Sequence, residues 1–131
     1  MILSPEIEFD SGGSVSLPGE YAVPVGVAVG DLVYVSGADA MDQADNASEA
    51  TAPVKGIVTD KPTTTTATVT YFGRVEGFAG FVPGELLFLG TTGGIVNSAG
   101  IPSAVGSYLQ KVGVAADTDA ILFDPEPGVI L

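Results

Sequence analysis

Nucleophilic and acid–base chemistry has few residue types to draw on in this chain. Its 131 residues include no histidine and no cysteine, against sixteen Asp and Glu and four Lys and Arg. Disulfides and thiolate or imidazole metal sites are therefore excluded by count. A nucleophile would have to be a Ser or Thr hydroxyl with a lysine base, or two carboxylates would share the proton work. The nearest approach to the first arrangement is the threonine run 63–66 beside Lys61. Threonine suits a pleated surface, so this run is expected to be the polar entrance of a strand. Asp117 and Asp119 are the nearest approach to the second. They flank a turn, where aspartate is favoured for local hydrogen bonding. The expectation is a protein that is not an enzyme, with no catalytic residues and no cofactor.

Metal and phosphate binding fare little better. Residues 39–52 are acidic, with Asp39, Asp42, Asp45, Asn46 and Glu49. Calcium needs six to eight oxygens, often from Asp at alternate positions around a glycine turn. Here the acids recur at about every third position, with Ala, Met and Gln between, which is wrong for such a loop. This is the one stretch with helical character, and a helix would put Asp39, Asp42, Asn46 and Glu49 on one solvated face. No metal site is expected, although the sequence leaves open whether this loop takes a cation. The glycine clusters Ser11-Gly12-Gly13 and Thr91-Thr92-Gly93-Gly94 lack the following Lys-Ser/Thr of a phosphate loop. The second is expected to be a hairpin turn between Leu89 and Ile95.

The elements carrying these residues come in duplicate. Gly30-Asp31-Leu32-Val33-Tyr34-Val35 returns as Gly84-Glu85-Leu86-Leu87-Phe88-Leu89. Lys55-Gly56-Ile57-Val58 is echoed by Val112-Gly113-Val114-Ala115, and Ala67-Thr68-Val69-Thr70-Tyr71 by Ala120-Ile121-Leu122-Phe123. The offsets are about 54, 57 and 53 residues, which fits one duplicated unit with small loop insertions. Eighteen glycines and nine prolines cut the chain into short pieces, as in all-β proteins with frequent turns. Strands are expected at 32–35 and, with the best alternation in the chain, at 67–72, with a short one at 57–58 that ends at Asp60-Lys61-Pro62. Pro24 makes 23–29 an edge or a strand entrance. Further strands are expected at 86–89, 95–96, 108–115 and 120–123, with Pro125 and Pro127 stopping the last. The predicted fold is all-β, a small barrel or compact sandwich of short strands with an internal pseudo-repeat and an extended N-terminal arm; closure disposes of exposed edges. Residues 1–20 form the arm and 21–131 a single β domain, its two units spanning about 25–80 and 81–131. The arm either packs on a neighbouring subunit or serves as a first edge strand of the same domain.

Charge narrows the partners. A net charge of −12 repels a polyphosphate backbone and an anionic membrane surface. Neither nucleic acid nor membrane is expected as a partner, and no apolar run approaches the roughly 20 residues of a membrane-spanning helix. Met1-Ile2-Leu3 followed by Ser4-Pro5-Glu6 does not read as a signal peptide, so synthesis in the cytosol is expected.

Three segments carry a resemblance. They are Pro83-Gly84-Glu85-Leu86-Leu87-Phe88-Leu89-Gly90-Thr91-Thr92-Gly93-Gly94-Ile95, Gly106-Ser107-Tyr108-Leu109-Gln110-Lys111-Val112-Gly113-Val114-Ala115 and Ala120-Ile121-Leu122-Phe123-Asp124-Pro125. With the upstream stretches 30–39 and 52–58, they resemble a pattern of tailed-phage structural proteins over about residues 25–127. The chain resembles the small capsid decoration, or cement, proteins of tailed bacteriophages. That resemblance implies a structural virion protein: a β-rich homotrimer on the outer surface of the phage head. It would be made in the host cytoplasm, contact the major capsid protein, and stabilise the shell. No catalytic position comes with it. A phage tail or fibre module is the alternative, and a carbohydrate-binding surface domain a more distant one, since there is no tryptophan and there are only four tyrosines.

Candidate trimer or capsid contacts are Ile2, Leu3, Ile7 and Phe9 in the arm, and Phe72, Phe78 and Phe81 around the junction of the two units. For the three phenylalanines, an exposed aromatic patch at a trimer axis stands beside the plainer reading that they are core.

Overall fold

The computed structural model describes residues 20–131 and, ahead of them, the backbone of two short strands, β1 (Glu8–Phe9) and β2 (Val15–Ser16). Of the N-terminal candidates, Ile2, Leu3 and Ile7 lie outside the described residues, and Phe9 enters only as a backbone position in β1.

Short apolar runs set between glycine and proline turns give eleven further strands. The first set comprises β3 (Tyr21–Ala22), β4 (Leu32–Gly37), β5 (Ala40–Gln43), β6 (Gly56–Thr63) and β7 (Thr66–Glu76). The second comprises β8 (Leu86–Leu89), β9 (Ile95–Asn97), β10 (Tyr108–Leu109), β11 (Lys111–Asp117), β12 (Ala120–Phe123) and β13 (Val129–Ile130). The continuous sheet runs β5-β4-β6-β7-β12-β11-β8-β9, so the second half repeats the first in mirror order about the β7–β12 pair. β3 pairs with both β5 and β7 and thereby closes the first set into a five-stranded barrel. β10 and β13 form a separate two-stranded sheet.

The duplication extends to individual hydrogen bonds. Gly30 and Gly84 have φ of 96° and 88°, a left-handed conformation that glycine adopts without cost. In each case the N–H donates across the sheet, to the Val58 carbonyl in one copy and the Ala115 carbonyl in the other, both at 2.8 Å. The acid that follows holds the turn: the Asp31 carboxylate accepts from Ala28 N–H, and the Glu85 carboxylate from Val82 N–H. Gly56 faces Val33 and Gly113 faces Leu87. A Cβ on Gly56 would lie 2.1 Å from Val69 Cγ1, and one on Gly113 would lie 2.3 Å from the Leu122 carbonyl oxygen, so neither position admits a side chain. Across the next strand, Ile57 pairs with Thr70 and Val114 with Leu122. Thr70 and Leu122 are therefore the matching positions, one residue away from the alignment suggested by residue type.

Two core clusters result. Val33, Met41, Val58, Ala67 and Val69 converge from the strands of the barrel, joined by Val23 and Val27. The larger cluster joins the two copies: Leu32 and Ile57 from the first pack with Leu87, Val112, Ile121 and Phe123 from the second. Each such fully buried side chain contributes about 1.5–3 kcal/mol of transfer free energy. Buried polar groups lock the junction. Gln110, 2% exposed, accepts from Val54 N–H and donates to the carbonyls of Val54 and Glu126. Asn46 donates from Nδ2 to the Leu89 carbonyl.

Several expectations need correction. The acidic stretch 39–52 is not helical but contains strand β5, turns, and one short 3-10 turn, Glu49–Thr51. The side chains responsible hydrogen-bond to nearby backbone: Asp45 accepts from Ala47 N–H, and Ser48 from Ala50 N–H. Such local bonds compete with a helix. The strand expected to end at Asp60 runs on to Thr63. Residues 23–29 form turns rather than a strand. The strand expected at 108–115 is interrupted at Gln110, and the apolar tail forms β13 against β10.

Candidate functional site

The three phenylalanines do not form one cluster. Phe78 and Phe81 lie in the segment joining the two copies, which is held by backbone bonds from Phe78 to Asp119 and from Phe81 to Thr118. Their rings stack at 5.4 Å and 26°, and both are half-buried against the larger core cluster. Phe72 is 51% exposed on β7, where its backbone pairs with Val15 of β2.

Phe78 and Phe81 form one wall of an open groove of about 340 Å3 at the junction of the copies, completed by Gly30, Asp31, Gly93 and Ile95. Asp31 is the carboxylate of this lining, and it already accepts from Ala28 N–H at 2.9 Å and from Gln43 Nε2 at 2.8 Å. The groove thus sets two stacked rings and glycine backbone around a carboxylate that is already held in the turn.

The residues considered for chemistry have structural work instead. Lys61 Nζ donates to the carbonyls of Val27 at 2.7 Å and Thr64 at 2.9 Å, which ties the β6–β7 turn to the loop before β4. The Thr63 and Thr66 hydroxyls bond each other at 2.7 Å. Asp45 reaches across the junction to accept from Thr92 N–H at 3.0 Å. Asp117 accepts from Thr118 N–H within the β11–β12 turn. Among the described residues, no group of three or more carboxylates is disposed to hold a metal ion. No helix among them is long and apolar enough to cross a membrane.

One ionisable group stands out. Burial, and then the hydrogen bond that Tyr71 donates to the Tyr21 hydroxyl, push the Tyr71 phenol well above its usual range. The two rings meet edge to face at 6.4 Å, beside the barrel core. This pair fastens β3 to β7 and so closes the barrel.

The comparisons add no relative. No protein-family model, curated protein or solved structure matches the chain significantly. The surface therefore has to speak for itself, and its most informative part lies outside the predicted residues. Leu122, 50% exposed, stands between Ile121 and Phe123, which are buried in the core. Leu86 is 45% exposed beside buried Leu87. These strands are apolar on both faces, and Leu86 and Leu122 stand half exposed on the outer one, while Ala120 beside them is buried. The sequence signal was available: β8 and β12 are continuous apolar runs rather than alternating ones, the pattern of strands covered on both sides.

Proposed function

We propose that this chain is a structural protein of a virus particle: a decoration protein that binds the outer surface of a tailed-phage head as a homotrimer, contacts the major capsid protein and braces the shell. The observation that carries this reading is the half-exposed leucines Leu86 and Leu122 on strands whose other face is core, since exposed apolar strand surface marks sites of assembly. The resemblance of residues 25–127 to decoration proteins supplies the kind of assembly. Sixteen acidic residues against four basic ones keep free copies soluble until a lattice is present.

In this role the protein stabilises by mass action, because it binds the assembled lattice better than free capsid subunits. A trimer that engages several lattice sites at once raises the effective concentration of each contact, so weak single contacts suffice. Ile2, Leu3, Ile7 and Phe9 are the proposed shell- or subunit-contacting segment, and Phe72 offers an exposed ring on β7.

The test is sedimentation of the purified protein, alone and with expanded empty heads of a candidate tailed phage. A trimer that pellets with the heads is expected, and deletion of residues 1–10 should abolish pelleting or trimerisation. A stable monomer that ignores the heads overturns the reading and shifts the weight to a tail or fibre module.

A further inference from the structure

The groove at the junction of the copies holds one carboxylate oxygen with no donor. Asp31 accepts both of its hydrogen bonds on Oδ2, from Ala28 N–H and Gln43 Nε2. Its Oδ1 accepts none from the described residues. That atom lies beside Gly93, where an added Cβ would come within 3.3 Å of it. Gly93 and Asp31 both line the groove, as do the stacked rings of Phe78 and Phe81. Gly30 sets the two kinds of surface side by side. It precedes Asp31 in the chain, and an added Cβ there would meet Phe78 Cε1 at 3.8 Å.

The charges bordering the groove select its ligand. Asp31 is the one ionisable side chain of the lining. Glu76 precedes Gly77, and Asp119 takes the backbone N–H groups of Gly77 and Phe78 on its carbonyl. Asp45 accepts from Thr92 N–H next to Gly93, and Glu85 from Val82 N–H next to Phe81. Two cations stand near, and both are engaged: Arg74 pairs with Glu76 at 3.1 Å, and Lys61 donates to the Val27 and Thr64 carbonyls. An anion is repelled from such a place. A purely apolar group would cover Oδ1 without giving it a donor, which is costly. A bare inorganic cation would leave the rings without a contact. A cationic tip on an apolar body satisfies both surfaces. Guanidinium suits them better than ammonium, because it is more weakly hydrated, stacks on aromatic rings and donates to carboxylates.

We propose that this groove binds an arginine side chain presented by a partner protein, with the guanidinium donating to Asp31 Oδ1 and its planar group and stem packing on Phe78 and Phe81. The site goes beyond the decoration role and does not rest on it.

The experiment is a nuclear magnetic resonance titration of the isotope-labelled full chain with the capped peptide Ala-Gly-Arg-Gly-Ala, and with the same peptide carrying uncharged citrulline for arginine. The backbone amide signals of Gly30, Gly77, Gly93 and Gly94 report on the lining. The arginine peptide is expected to move them saturably, and the citrulline peptide to bind about tenfold more weakly. Asp31→Asn keeps an oxygen for Ala28 N–H and Gln43, so the turn is retained while the charge is lost; binding should again weaken about tenfold. Phe81→Leu keeps the apolar bulk without the ring and should weaken it about threefold. Asp124→Asn makes the same charge change outside the lining and should bind as the wild type does. Signals that never move overturn the proposal, and so does equal binding of the two peptides or unchanged binding by Asp31→Asn. Equal loss in Asp124→Asn reduces the effect to attraction by the net charge and overturns the site. Should Asp31→Asn fail to fold, the difference between the two peptides on the wild type decides. Failure to pellet with phage heads defeats only the decoration role, because neither probe nor signal here involves a head.

Discussion

The two halves of the molecule share strand order, turn chemistry and glycine positions, yet one is closed and the other open. The first half has β3 to seal β5 against β7, and at the start of β4 both faces are covered: Leu32 and Val33 are neighbours in sequence and both fully buried, on opposite sides, whereas Val35 further along is 55% exposed. The second half reuses the end of β7 as its flanking strand, from Gly73 to Glu76 against β12, and leaves β9 paired, among the described residues, only with β8. In β8 the matching pair divides, with Leu87 buried and Leu86 45% exposed. Duplication thus reproduces local geometry, whereas burial depends on what lies next door. The first copy has a neighbour within the chain, and the second has none among the described residues.

The sharpest way to break this comparison is to truncate the matching leucines. Leu32→Ala should cost about 2–5 kcal/mol, the transfer and cavity terms of a fully buried site. Leu86→Ala should cost about 1 kcal/mol or less in the dissociated chain, because half of that side chain is already in water. Equal losses in chemical denaturation would mean that the two faces are buried alike.

The glycines sharpen the comparison from the other side. Gly56→Ala and Gly113→Ala should each destabilise by about 1–3 kcal/mol, since the new methyl has to displace packed atoms. Here the two halves should respond alike, because the obstruction comes from the adjoining strand within each copy: Val69 in one, Leu122 in the other. A neutral effect at one glycine and a large one at the other would show that the copies differ locally as well.

The smallest effect concerns closure of the barrel. With its phenol held above the usual tyrosine value of about 10, Tyr71 keeps its proton more tightly in the folded state than in the unfolded one. Its contribution is complete below about pH 10 and is lost as pH rises towards the folded value. The midpoint of denaturant unfolding should therefore fall more steeply between about pH 9.5 and 11 in the wild type than in Tyr71→Phe. Parallel slopes would leave the Tyr21–Tyr71 bond without a role in closure.

Much of the strand layout was legible in the sequence. Glycine followed by an acid and an apolar run announced β4 and β8, and the Gly56 and Gly113 echoes marked the strands that follow them. The acidic stretch misled because its three- and four-residue spacing suits a helical face, while Asp45 and Ser48 prefer to bond nearby N–H groups. The third echo, aligned by residue type, missed the paired register by one residue, a slip that exchanges inward and outward positions. Gln110 carried no signal at all: its role is to satisfy the backbone of Val54, which lies 56 positions away in sequence.

Composition and local pattern by themselves determined an all-β chain of short strands, a duplicated unit, and a strongly acidic protein without cysteine or histidine chemistry. Those properties follow from side-chain type, turn preference and alternation, which act over a few residues. Tertiary structure alone decided that the first copy closes, that Leu32 is core while Leu86 faces solvent, and that Phe78 and Phe81 stack on the junction while Phe72 does not join them. The physical reason is that burial belongs to a pair of surfaces, and an apolar residue carries no record of whether its partner surface lies in the same chain.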